Sequence, residues 1–235
     1  MVFIPLSDDN PLRSIRFQWV TAGLIAANVL VFIWQVSGAG TVMAASFAVV
    51  PAQLFQVHIF GGYAPIPNEL VHVPEFLTLI TYQFLHGDII HLASNMIFLW
   101  VFGDNVEDAM GHLKYLVFYL VCGIAAGLTH AWMLPASQLP LIGASGAVAG
   151  VIAAYLLLHP RVLVWVLAFR IIPLRISAAW VLGFWVVTQF AMVLINQADQ
   201  VAWWAHIGGM AAGALLILFM RRPGVPLFDR WLTAA

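Results

Sequence analysis

The chain has 235 residues, 63% of them hydrophobic and only 8% charged, with a formal net charge of −1. An ordinary soluble domain carries roughly 25% charged and 45–50% apolar residues, so a water-soluble fold of this size is excluded. The net charge says nothing about partners, and no nucleic-acid partner is expected.

Apolar runs of about 20 residues, the length that crosses a bilayer at about 1.5 Å per residue, lie near 17–36, 78–102, 115–134, 145–160, 177–196 and 201–220. They predict an all-α membrane protein: one six-helix bundle over 17–220, a short head at 1–16 and a short tail at 221–235. Neither flank is long enough to fold alone. All nine Lys and Arg residues fall on one side of this model, at Arg13, Arg16, Lys114, Arg161, Arg170, Arg175, Arg221, Arg222 and Arg230. Basic residues collect in cytoplasmic connections, so both termini are expected in the cytoplasm of a multi-pass cell (inner) membrane protein.

The first span, with Arg13 and Arg16 before it and Met43-Ala44-Ala45 after it, has the outline of a secretory signal. Its apolar run exceeds the usual signal core of about 7–15 residues, and it is read as a retained span. The connection 37–77 mixes Gly and Pro with Phe47, Leu54, Phe55, Phe60 and Tyr63. A loop that long is usually functional or carries local structure, and this one is apolar enough to lie partly in the membrane interface. Its His58 and His72 read as surface residues.

The second span carries His91 and Asn95, spaced i to i+4 and hence on one helix face. His86 falls on another face, near the entrance, as an interfacial or loop-ordering residue. After the span comes Gly103-Asp104-Asn105-Val106-Glu107-Asp108-Ala109-Met110-Gly111, where Asp104 is placed to cap the next turn. The acids here read as exposed groups at helix ends. With His112 they fit no zinc or calcium spacing, and no metal site is expected. Cys122, the only cysteine, reads as a small buried hydrophobe.

The fourth span opens with Gly143-Ala144-Ser145-Gly146, and the sixth contains Ala205-His206-Ile207-Gly208-Gly209. Both spans enter from the external side, so His206 lies some 9 Å deep and meets Ser145 at similar depth. Gly146-xxx-Gly150 and Gly209-xxx-Gly213 are small-xxx-small patterns that let two membrane helices touch. Between the fourth and fifth spans, 161–176 reads either as a continuation of the fourth helix past Pro160 or as an interfacial segment with snorkelling arginines.

Polar side chains inside membrane helices are functional candidates by default. A serine hydroxyl attacks a carbonyl when a neighbouring base takes its proton, and His206 is the best base for Ser145. His91, Asn95 and the Ser145 backbone N–H are the donors available to a developing oxyanion. No Asp or Glu is placed to orient His206, and Asp199 belongs to the external connection, so the prediction is a Ser–His dyad rather than a triad. The soluble-hydrolase elbow Gly-x-Ser-x-Gly is not met, since Ala147 stands where its second glycine belongs.

Phe84-Leu85-His86-Gly87 with His91-Leu92-Ala93-Ser94-Asn95-Met96, Gly143-Ala144-Ser145-Gly146, and Ala205-His206-Ile207-Gly208-Gly209 together resemble the second-helix, nucleophile and base motifs of the rhomboid intramembrane serine proteases. The segment Leu99-Trp100-Val101-Phe102-Gly103-Asp104-Asn105-Val106-Glu107 is similar to prokaryotic members, and the likeness runs from the first span to the sixth. The resemblance implies a rhomboid-like bundle with Ser145 as nucleophile, His206 as base, and His91, Asn95 and the Ser145 N–H as oxyanion hole. It also implies a membrane-associated first external loop, the fifth helix and its cap loop as substrate gate, and no cofactor. The implied substrates are single-span membrane proteins cut near the external end of their helix.

Two departures are visible. Residues 37–77 lack the Trp-Arg pair of many members, and Ala149 stands where some carry a Tyr packed under the base. The rival readings are an inactive rhomboid-like protein that binds membrane helices, which would be expected to lack Ser145 or His206, and a transporter. The sequence shows no pair of interrupted helices in matching halves that a transporter would call for.

Overall fold

The computed structural model describes residues 3–56, 73–169, 171–195 and 202–228. In chain order it runs β1 (Phe3–Asp8), α1 (Trp19–Trp34), α2 (Gly40–Phe47), α3 (Pro51–Leu54), α4 (Glu75–Thr81), α5 (Ile89–Met110) and α6 (His112–Met133). Then follow α7 (Ser145–Leu158), β2 (Leu163–Ala168), β3 (Ile172–Ser177), α8 (Ala178–Ile195) and α9 (Trp203–Met220).

Among the described residues, five segments are long and apolar enough to cross a membrane: Trp19–Gly38, Ile89–Met110, His112–Met133, Ala178–Ile195 and Trp203–Met220. They make this a multi-pass helical membrane protein. Their outward faces carry large apolar side chains such as Leu30, Leu113, Trp132, Trp180, Leu194 and Phe219, the surface a bilayer covers.

The sixth helix, α7, is the exception. Its 14 residues are buried on nearly every side, as expected of an all-apolar helix at the centre of a bundle. At about 1.5 Å per residue it is about 21 Å long, shorter than the roughly 30 Å hydrocarbon layer. Its Ile152 and Tyr155 share one core cluster with Leu99, Phe102, Tyr119 and Cys122, all fully or almost fully buried.

Glycines set the closeness of α7 and α9. A Cβ on Gly209 would overlap the Gly146 carbonyl oxygen, and one on Gly213 would overlap that of Gly150. Since 146 faces 209 and 150 faces 213, the two helices run in the same direction, backbone against backbone. The Cys122 side chain fills the next gap, against Gly150, as a free buried thiol.

The second predicted span is not continuous. α4 ends at Thr81, a tight turn covers Tyr82–Phe84, and Leu85 is extended before α5 starts at Ile89. The break has a local cause: Asp88 adopts an extended conformation, and its Oδ1 accepts Ile90 N at 2.7 Å and His91 N at 2.8 Å. A carboxylate that satisfies free N–H groups starts a new helix.

α5 then continues to Met110, so Gly103–Met110 forms its last turns rather than a connection, and Gly111 alone joins it to α6. Asp104 caps no following helix; its Oδ1 accepts Asn105 N at 2.7 Å inside α5. Glu107 is fully buried, not exposed. Its oxygens accept Val20 N at 3.0 Å, Thr21 N at 2.8 Å and Thr21 Oγ1 at 2.7 Å, and His112 Nδ1 lies at 2.5 Å. α1 has no capping side chain of its own, so α5 supplies the cap. Asp108 does the same for the preceding stretch, accepting the N–H groups of Arg13, Ser14 and Ile15.

The fourth helix does not continue past Pro160, and the interfacial reading of 161–176 stays a sequence-based expectation. Leu163–Ala168 and Ile172–Ser177 pair as an antiparallel hairpin, β2 with β3, which β1 extends into a three-stranded sheet in the order β1-β2-β3. β2 buries Val164, Val166 and Ala168 and exposes Leu163 and Trp165, the alternation of a strand with one covered face. Pro173 is tolerated because β3 is an edge strand. Arg175 bonds to Asp9 at 2.5 Å. The head of the chain is thus tied to this end of the bundle, and Tyr155 Oη of α7 donates to Asp8 of β1.

Candidate active site

Four helices and the turn before α5 converge at the end of the bundle opposite the sheet. Gly143 shapes the entry to α7: its φ of +122° is one that side-chain-bearing residues rarely adopt. A Cβ there would also lie 2.8 Å from His91 Cε1 and Nε2. Its N–H donates to the Tyr82 carbonyl at 3.0 Å, and Tyr82 Oη donates to the Gly123 carbonyl at 2.6 Å. The loop before the nucleophile candidate is therefore pinned to the turn after α4 and, through it, to α6.

Ser145 is the first residue of α7, and its Oγ lies 2.9 Å from His206 Nε2 on α9. The glycine contacts hold the two at this distance. His206 is buried, flanked by Trp185 of α8 with ring centroids 5.8 Å apart and by Trp203 edge-on at 6.0 Å. Ala149 packs nearby with Ala153 and Met210, and Trp185 and Ile207 lie against that cluster. An aromatic ring from α8 thus lies against the imidazole, where the departure at Ala149 left the environment open.

The other ring nitrogen of His206, Nδ1, lies 2.7 Å from Gln189 Oε1 on α8. Gln189 was not singled out in the sequence. Its signal was available, because it is a polar residue inside the apolar run Ala178–Ile195, the pattern that marks functional residues in membranes. No carboxylate occupies this place; an amide does.

His91 and Asn95 sit one turn apart near the start of α5. The Gly87 N–H donates to His91 Nδ1 over a long 3.4 Å. A neutral imidazole carries one proton, so this bond leaves it on Nε2, the atom against Gly143. Asn95 is buried, and its Nδ2 lies 3.1 Å from His86 Nε2. An amide NH2 has two N–H groups, so one remains to donate elsewhere.

His86 is not the entrance residue the sequence suggested. The break before α5 turns it inward, where it is 1% exposed and pairs with Asn95 and the His91 ring. Its backbone exchanges two bonds with the Gln35 side chain, His86 N to Oε1 at 3.0 Å and Nε2 to His86 O at 3.3 Å. His130 of α6, also passed over in the sequence, is buried with its Nδ1 unpartnered among the described residues.

The first long connection is anchored without the Trp-Arg pair. Val49 and Leu141 exchange two backbone bonds at 3.2 and 2.7 Å, and Ala52 N donates to Ser137 O at 3.0 Å. Residues 48–52 thereby lock onto the loop that leads into Ser145. His58, Phe60, Tyr63 and His72 lie outside the described residues, as do Arg170, Asp199 and the rest of the cap loop.

A short central helix bearing a serine, held against a parallel helix bearing a histidine within a membrane bundle, defines a class of membrane protein. A rhomboid-domain family model matches residues 73–223, which spans every element of the site, and the chain belongs to the rhomboid family. It is 30% identical over 226 residues to RHOMBOID-like protein 12, mitochondrial, of Arabidopsis thaliana, covering 87% of this chain and 59% of that protein. It is 30% identical over 154 residues to Rhomboid protein 1, mitochondrial, of Saccharomyces cerevisiae (61% and 42% covered). With Rhomboid protease GluP of Bacillus subtilis it shares 30% identity over 171 residues (72% and 31% covered). The chain thus spans less than two thirds of the length of these relatives.

Proposed function

We propose that the chain is an intramembrane serine endopeptidase that cleaves single-span membrane proteins by a Ser–His dyad. The observation that carries this reading is the 2.9 Å contact between Ser145 Oγ and His206 Nε2. In the proposed step, Ser145 Oγ attacks the scissile carbonyl while its proton passes to His206 Nε2. His206 then returns that proton to the leaving amine, and a water, activated by the same nitrogen, hydrolyses the acyl-enzyme.

The tetrahedral oxygen would sit between three donors. They are the Ser145 N–H, free of an intrahelical acceptor in the first turn of α7, His91 Nε2–H and the second N–H of Asn95 Nδ2. Such donors are preorganised for a charge that appears only in the transition state. Hydrolysis also needs water at the site. A recess at the Ser145 end of α7, open to water, is part of this reading.

The positive-inside asymmetry supports an orientation with the sheet and both termini in the cytoplasm and the recess open to the other side. That Rhomboid protease GluP is a protease by name supports the activity, while the Arabidopsis and yeast relatives are named mitochondrial.

The test is cleavage of a model single-span substrate in proteoliposomes. Wild type is expected to cut it, and Ser145→Ala and His206→Ala to lose cleavage while keeping the wild-type melting temperature. A wild type that binds the substrate helix without cutting it would support the rival membrane-helix binder instead.

A further inference from the structure

Gln189 is the only buried residue of α8 beyond Leu182; the others on that helix are Ala178, Val181 and Leu182, at the sheet end. Its amide is oriented by its neighbours. Nε2 donates to the Trp185 carbonyl at 2.9 Å and to Thr188 Oγ1 at 3.1 Å, while Thr188 Oγ1 spends its own proton on the Trp185 carbonyl at 2.6 Å. A flipped amide would set its oxygen against two acceptors. Oε1 must therefore face His206 Nδ1, at 2.7 Å.

An oxygen acceptor there requires the proton on Nδ1, and a neutral ring then offers only a lone pair at Nε2, the atom facing Ser145. We propose that Gln189 is a positioning residue that holds His206 in the tautomer able to accept the serine proton. The proposal rests on the reading of His206 as base. An amide does this work without placing a carboxylate charge beside the imidazole inside the bundle.

The experiment compares full-length wild type with Gln189→Leu, Gln189→Asn and Gln189→Glu in detergent. Histidine ¹⁵N spectra, with the His206 ring assigned by its absence in His206→Ala, read the tautomer independently of activity. Wild type is expected to show an Nδ1-protonated ring, and Q189L and Q189N a mixture of tautomers. Turnover of the model substrate should fall by ~10²-fold or more in Q189L with KM nearly unchanged, and Q189E should recover much of the loss. A purely structural role would lower the melting temperature in all three variants and leave the tautomer of the folded fraction unchanged.

An Nε2-protonated ring in wild type, or wild-type turnover in folded Q189L, would overturn the proposal. If wild type fails to cleave yet its Nδ1 tautomer is lost in Q189L and Q189N, the protease reading fails and the positioning role stands. If Q189L does not fold, Q189N, whose shorter amide cannot span the distance, and the wild-type spectrum decide the matter.

Discussion

Polar clusters stand at both ends of this bundle, and they are built on opposite plans. At the sheet end, Glu107 and Asp108 are carboxylates whose oxygens are taken up by six backbone or hydroxyl donors from the head of the chain and α1. At the recess, the groups around Ser145 are imidazoles and amides. There His86 Nδ1, His130 Nδ1 and Trp203 Nε1 have no partner among the described residues. A carboxylate whose acceptor sites are filled holds structure together, whereas a neutral imidazole or amide with an N–H left over can donate to a transition state. The contrast lies in the kind of group, since among the described residues unpartnered buried atoms occur at both ends, with Tyr115 Oη and Arg221 Nε at the sheet end.

That contrast predicts which substitutions cost rate and which cost stability. Asn95→Ala removes a proposed oxyanion donor and should lower turnover by ~10²–10³-fold with little change in melting temperature. An unchanged rate would move Asn95 to the structural side. Gly209→Leu forces a side chain into the Gly146 carbonyl and should cost both quantities. We expect a rate loss of about 10²-fold from misplacing the base and roughly 1–3 kcal/mol of stability, read by turnover and thermal unfolding on the same sample.

Glu107→Ala is the mirror image of Asn95→Ala. It strands the N–H groups of Val20 and Thr21 and should cost about 1–3 kcal/mol, while kcat per folded molecule stays at the wild-type value. A large fall in kcat would mean the two ends are coupled.

Asp88 gives the smallest effect. The N–H groups of His91 and Ile90 hold its carboxyl below the ordinary aspartate value of 3.8. A lowered value means that the stabilisation is present above about pH 4 and is lost as pH falls through it. Asp88→Asn keeps an oxygen acceptor and should remove this component of acid sensitivity. Asp88→Ala should fray the start of α5 and lower turnover a few-fold through His91, and thermal unfolding from pH 3 to 7 checks both.

The sequence was most informative where chemistry and packing coincide. Ser145 and His206 each stand beside a glycine pair, and in the fold those pairs are the surfaces that bring the two side chains together. His86 was misplaced because a continuous apolar run conceals a helix break; Asp88, a strong capping residue three positions before His91, was the cue. The hairpin at 163–177 escaped because a short apolar run does not distinguish a strand from a helix by periodicity, and β1 pairs with it across more than 150 residues of chain. Glu107 looked exposed because its partners are backbone N–H groups about 86 residues earlier, which no side-chain pattern announces. Gln189 was legible in principle as the polar exception within its span, but its partner lies on another helix.

The most direct measurement of the central claim is labelling by a fluorophosphonate serine probe, located by peptide mass. The account predicts covalent modification at Ser145 in the wild type and none in His206→Ala, because the hydroxyl is reactive only through the imidazole 2.9 Å away. Equal labelling of Ser145 in both proteins, or no labelling in a folded wild type, would contradict it.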